Sequence, residues 1–148
     1  MRLVLLAASL TVAIAVSGFA LVRPSSATAE TPLGPGDATV TMTIRHSHYS
    51  LEHLIVRRGT MVRFVIRNDD PIAHEFIIGD DGVHRRHEAG TEAVHPPRPG
   101  EVSIPAGATA ETTFRFEGTT GSGSVTYACH LPGHLRYGMS GTLDVLPD

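Results

Sequence analysis

Lysine is absent: all 12 basic residues are arginine, and against 15 acidic residues they leave a formal charge of −3. No basic stripe runs along the chain, so the electrostatic footprint of a nucleic-acid-binding protein is missing. Tryptophan is absent too. A single cysteine, Cys129, excludes an intramolecular disulfide, and its distance from the N-terminus excludes a lipid anchor on a cysteine at a cleavage site. At 148 residues the chain falls in the single-domain range, which excludes a multidomain enzyme. What it has in quantity is 15 glycines and ten prolines, turn formers that suit short segments in a sandwich or barrel better than a helix bundle.

The N-terminus carries an apolar run, Leu3 to Val22, followed by Arg23 and the small residues PSSATA. This pattern reads as an export signal with a cut after Ala27-Thr28-Ala29. Cleavage there leaves 119 residues and a charge of −5, because Arg2 and Arg23 are lost and no acid is. The run is also long enough to stay as a membrane anchor. Either way the domain is placed outside the cytoplasm, periplasmic or extracellular. Residues 30–37, rich in proline and glycine, read as a flexible lead-in to a domain at 38–148.

From Ala38 the hydrophobic pattern has a period of two, as in strands with one buried face. Val40, Met42 and Ile44 share one face, and Val62, Phe64 and Ile66 stand opposite Arg63 and Arg67. Phe114 and Phe116 alternate with Arg115 and Glu117. Further strands are expected at 51–58, 72–79, 101–105, 123–129 and 141–146, separated by turn signals such as Asn68-Asp69-Asp70-Pro71 and Gly79-Asp80-Asp81-Gly82. About eight short strands describe an all-β Greek-key sandwich. Residues 83–100 break the alternation, carry three histidines and read as a long excursion with a short helix around Arg85 to Glu92.

Near the C-terminus, Cys129, His134 and Met139 are spaced five and five. With nine histidines and four methionines in the chain, that spacing arises by chance with a probability of about 0.002. If Cys129 ends one strand and Met139 begins the next, the loop between them can fold His134 back toward both sulfurs. Thiolate, imidazole and thioether form a soft donor set that favours copper, and a Cys with two His and a distant Met is the ligand set of an electron-transfer copper site. A second histidine is therefore needed. His74, on an apolar strand segment that can lie beside the strand ending in Cys129, is the best candidate.

HEF at 74–76, the run-up RRGTMVRFVIRNDDPIAHEFIIGD and C-x4-H-x4-M at 129–139 together resemble the cupredoxins, the blue copper proteins of the plastocyanin and azurin type. The resemblance covers about residues 38–147. It implies one type 1 copper per chain, with His74, Cys129 and His134 as equatorial ligands and Met139 as the weak axial one. It also implies that the amide of Glu75 donates to the Cys129 sulfur. The family often has asparagine at that position, with a side chain that ties the ligand loops together, and Glu75 departs from this.

The function so implied is a one-electron carrier, not an enzyme. It would be a monomer without a small-molecule substrate, docking redox partner proteins on an apolar patch around His134 made by Leu131, Pro132, Leu135 and Tyr137. The alternative is a copper-binding protein of copper trafficking or homeostasis, with His84, His87 and His95 helping capture. A third reading, an oligomeric oxidase or reductase using His130, would need more copper per chain. Position 128 is alanine, where the multicopper oxidases that His130 brings to mind have histidine. His130 is accordingly expected to turn away from the copper. His84, His87 and His95 are feasible ligands for a second metal ion, but as loose surface histidines they need no such role. His46, His48 and His53 have the same surface reading.

Overall fold

A computed structural model of the chain describes residues 27–28, 31–90, 94–117 and 123–147. All but two residues of the expected leader or anchor lie outside these. Among the described residues no helix is long and apolar enough to cross a membrane.

The strands run in chain order as β1 (Ala27–Thr28), β2 (Asp37–Arg45), β3 (His48–Tyr49), β4 (Leu51–Arg57), β5 (Met61–Asn68) and β6 (His74–Gly79). A helix, α1 (Asp81–Glu88), precedes β7 (Glu101–Ile104), β8 (Thr109–Arg115), β9 (Ser124–Ala128) and β10 (Ser140–Leu146). One sheet has the order β1-β4-β10-β9-β6-β7, and the other β3-β2-β5-β8. Apart from the two-residue β1 and β3, these are the eight strands expected, and the two sheets form the sandwich.

The core lies where the alternation placed it. Val40, Met42 and Ile44 on β2 and Val62, Phe64 and Ile66 on β5 are buried against Leu54, Val56, Tyr127 and Leu143 of the facing sheet. Phe76 sits at the centre, with its ring 4.9 Å from Phe64, 5.1 Å from Tyr127 and 5.9 Å from Tyr49 between centroids. Offset and edge contacts of this kind add to area burial. They also fix the register of β6, because a one-residue slip would exchange Phe76 for Glu75. The lead-in meets the sheet at Leu33, whose N–H donates to the Ile55 carbonyl at 2.8 Å.

The excursion differs from expectation. The helix begins at Asp81, four residues earlier than the expected Arg85, because Asp80 caps it instead of turning the chain: its side chain accepts the Val83 N–H at 3.0 Å. Asp81 in the first turn and Arg85 and Arg86 in the last turn complement the helix dipole. The helix packs on Gly79, where a Cβ would approach Val83 Cγ2 to 2.6 Å. With α1 and the returning segment 94–100 on its outer face, β6 is buried on both sides. His87 and His95 go inside with it, at 9% and 3% exposure, which overturns their reading as loose surface histidines.

Candidate metal centre

The centre forms at one end of the six-stranded sheet. β6 and β9 are antiparallel neighbours, with Ile77 opposite Ala128. His74, the first residue of β6, and Cys129, just past β9, are both buried and face inward in phase with Phe76 and Tyr127. Between Cys129 and Met139 the chain makes a 3-10 turn (Leu135–Tyr137) that ends on Gly138 at φ 93°, a conformation glycine adopts without strain. Backbone bonds close the loop. Cys129 N–H donates to the Met139 carbonyl at 3.1 Å, and Met139 N–H to the His134 carbonyl at 3.0 Å.

The side chains converge as a consequence. Cys129 Sγ is 3.2 Å from His134 Nδ1, which is 3.3 Å from His74 Nδ1, and the three donor atoms lie within 4.8 Å of one another. Met139 is fully buried, shares the core cluster with Cys129, and is held next to Cys129 and His134 by the two backbone bonds that close the loop. The four residues singled out in the sequence are therefore brought together. One thiol and two imidazoles with their δ nitrogens inward, in a site mostly closed to water, make a donor set that fits copper.

Protonation favours the same use. Burial lowers the pKa of His134, and the His74 ring beside it lowers it further, so the His134 ring is neutral and can donate a lone pair. Burial pushes the Cys129 thiol up to about 11, against the opposing N–H groups of Glu75 and Leu131, so a metal must displace its proton.

The chain around the site supplies positioning groups, one of which the sequence disguised. His74 Nε2 bonds Asp70 Oδ2 at 2.9 Å, which fixes the ring with Nδ1 toward Cys129 and His134. Asp70 in turn accepts N–H bonds from His46 at 2.6 Å and Ser47 at 2.7 Å, in a turn where both residues have positive φ. Burial opposes the charge on Asp70, but those N–H groups and the His74 ring outweigh it and hold the carboxyl below its usual range. Asn68 steadies the same corner, donating to the carbonyls of Ile72, Ile104 and Pro105 and accepting the Asp70 N–H. In the sequence Asn68-Asp69-Asp70-Pro71 reads as a turn within the run-up to His74, with no role for its side chains.

Glu75 behaves as the resemblance implied for its backbone, and its side chain compensates for the missing asparagine. Its N–H points to Cys129 Sγ at 3.4 Å, and its carboxylate accepts the His130 N–H at 3.3 Å, tying the first-histidine strand to the cysteine loop. Burial raises the Glu75 pKa despite the nearby His95 ring and the His130 N–H. His130 turns away from the Cys129 pocket as expected, to His84, whose Nδ1 is 2.9 Å from its Nε2. Burial first, then the neighbouring His84, His87 and His95 rings, lower the His130 pKa to about 4. His48 is exposed as expected, whereas His53 is half-buried. His53 pairs with Asp144 at 2.8 Å.

Fold and site define a cupredoxin. Residues 37–146 match the copper-binding proteins of the plastocyanin/azurin family, and the chain belongs to that family. It is 36% identical to the copper-resistant cuproprotein CopI of Rubrivivax gelatinosus over 127 residues, covering 79% of this chain and 75% of the relative. It is 28% identical to the protein of the same name from Pseudomonas aeruginosa over 125 residues, covering 62% and 67%. Among solved structures, auracyanin B superposes with a TM-score of 0.58 at 26% identity, covering 74% of this chain and 89% of that one.

Proposed function

We propose that this chain is an exported copper-binding protein of copper tolerance, which takes up copper outside the cytoplasm and holds it at His74, Cys129, His134 and Met139. The observation that carries the reading is the convergence of the Cys129 sulfur and two imidazole nitrogens beside buried Met139. It is supported by relatives that bear the name copper-resistant cuproprotein. Copper, when bound, supplies a one-electron couple and a strong preference for thiolate and imidazole. The chain's part is to present Cys129 in a dry pocket, hold His74 on Asp70, and leave the half-buried His134 as the edge nearest solvent. Nothing in this role requires catalysis.

A second reading, one-electron exchange with a docked protein, draws on the surroundings of His134. Leu131 and Leu135 are half-buried there, Pro132 is exposed, and Tyr137 is 80% exposed. The two readings part in a growth assay. A strain lacking this protein is grown in rising copper with wild type, Cys129→Ser or Leu135→Glu supplied in trans. The tolerance reading expects wild type and Leu135→Glu to restore growth and Cys129→Ser to fail. If Leu135→Glu fails while the purified variant keeps its thiolate-to-copper absorption, docking and electron exchange become the function. Equal rescue by Cys129→Ser sinks both readings.

A further inference from the structure

On the outer face of β6, away from the Cys129 pocket, a second group of donors is assembled from three separate elements. His87 comes from the last turn of α1, His95 from the segment returning from the helix, and Glu101 from the start of β7. One donor atom from each lies within 4.8 Å of the others, and both histidines are buried. We infer that His87, His95 and Glu101 form a second metal site, which takes a divalent ion that prefers nitrogen and oxygen donors, copper(II) above all.

The far nitrogen of each ring is already committed, as ligand histidines require. His87 Nδ1–H donates to the Val83 carbonyl at 2.8 Å, which leaves the Nε2 lone pair facing Glu101 Oε2 at 3.8 Å. His95 Nε2 lies 3.4 Å from the Glu75 carboxylate, while its Nδ1 is 3.9 Å from Glu101 Oε2. An imidazole backed by a carbonyl or carboxylate on one nitrogen and open to a metal on the other is the usual arrangement around protein-bound ions. Metal bonds of about 2.0–2.2 Å place neighbouring donors about 3.0–3.5 Å apart, so each histidine need close on Glu101 by less than about 1 Å.

A neighbouring group gives independent support. The His130 ring stacks on that of His87 with centroids 5.6 Å apart, and its Nδ1 is buried without a hydrogen-bond partner among the described residues. Buried polar atoms ordinarily have partners, so the protein's own groups leave this corner unsatisfied. Two imidazoles with one carboxylate suit copper(II) and zinc rather than magnesium or calcium, and the general affinity order places copper(II) above zinc.

The two sites share Glu75. Its N–H meets the Cys129 sulfur, and its carboxylate meets His95 and the His130 backbone. Filling the outer site therefore pulls on a residue that touches the thiolate, and the thiolate-to-copper band should shift as the second ion binds. The inference does not depend on the biological role of the first site, because that band reports the first site separately.

The full chain is treated with copper(II) in excess and freed of unbound metal, then its copper is counted and its paramagnetic resonance recorded. The expected result is two ions per chain: one with the thiolate band, one with the wide hyperfine splitting of a nitrogen-and-oxygen site. The double variant His87→Asn, Glu101→Gln should hold one ion and keep the thiolate band, which also shows that it folds. A single ion in wild type, or a second ion that persists in the double variant, overturns the inference. Should the double variant fail to fold, His87→Asn alone decides by the same count: a fall to one ion supports the site, and two ions overturn it.

Discussion

Cys129 is the side chain whose chemistry changes most on metal binding. Burial raises its thiol to about 11, above an unfolded value near 9, so the folded apo chain prefers the protonated form. The sign follows from linkage: this preference stabilises the apo fold fully below about pH 9 and is lost as pH rises through about 11. Metal binding must expel the proton, so the apparent copper affinity should rise about tenfold per pH unit between pH 7 and 9. Competition titrations at three pH values check this, and a flat profile would mean that the sulfur is not a ligand. Asp70 presents the opposite case, a carboxylate kept charged by two N–H donors and the His74 ring. Asp70→Ala leaves those groups unpaired and should cost about 3 kcal/mol in urea unfolding, with Asp70→Asn losing about half as much. Both variants should shift the thiolate-to-copper absorption, because both free the His74 ring. A purely structural Asp70 would lower stability and leave the spectrum unchanged.

Strands with one wet face were legible because alternation is local: the buried set of β2 and β5 is the set their sequences predict. The four residues of the centre were legible for a related reason, since three lie in one short loop and the fourth opens the neighbouring strand. The roles of Asp70 and of the Glu75 carboxylate were not: the N–H groups that hold Asp70 come from 23 and 24 residues away, and the one that Glu75 accepts from 55. His74 is only four residues from Asp70, but a turn sequence carries no spacing rule that marks the pair. The histidines of the excursion were misjudged because their burial depends on α1 folding over β6. That packing is decided by the Asp80 cap and the bare surface of Gly79, and a sequence pattern shows neither. Two predictions follow from these elements. Gly79→Val should force α1 off β6, since even a Cβ would stand 2.6 Å from Val83; the second copper signal should then be lost before the first. Gly138→Ala places a Cβ at φ 93° between the 3-10 turn and Met139. It should destabilise the fold by about 1–2 kcal/mol and broaden the thiolate band, while Gly59→Ala, at φ 78° in the turn beside the far end of β10, should cost stability without moving the band.

Taken whole, the molecule is a sandwich whose core holds one end of the six-stranded sheet together by packing alone. His74 opens β6, Cys129 follows β9 and Met139 precedes β10, so a metal there joins three neighbouring strands at the edge where the hydrogen-bond ladders stop. A ligand that binds only the folded state stabilises it by mass action, about 4 kcal/mol when free ligand is a thousandfold above Kd. For a domain of this size that corresponds to roughly 15 °C in Tm. Copper should therefore raise the melting temperature of wild type by this order, and Cys129→Ser should lose most of the gain while melting near the apo temperature. Asp70→Asn should keep part of it, because the sulfur and His134 remain in place. A copper-independent Tm in wild type would mean that the four side chains pack as core without converging on an ion, and a gain that survives Cys129→Ser would assign the stabilising ion to the histidines on the outer face of β6.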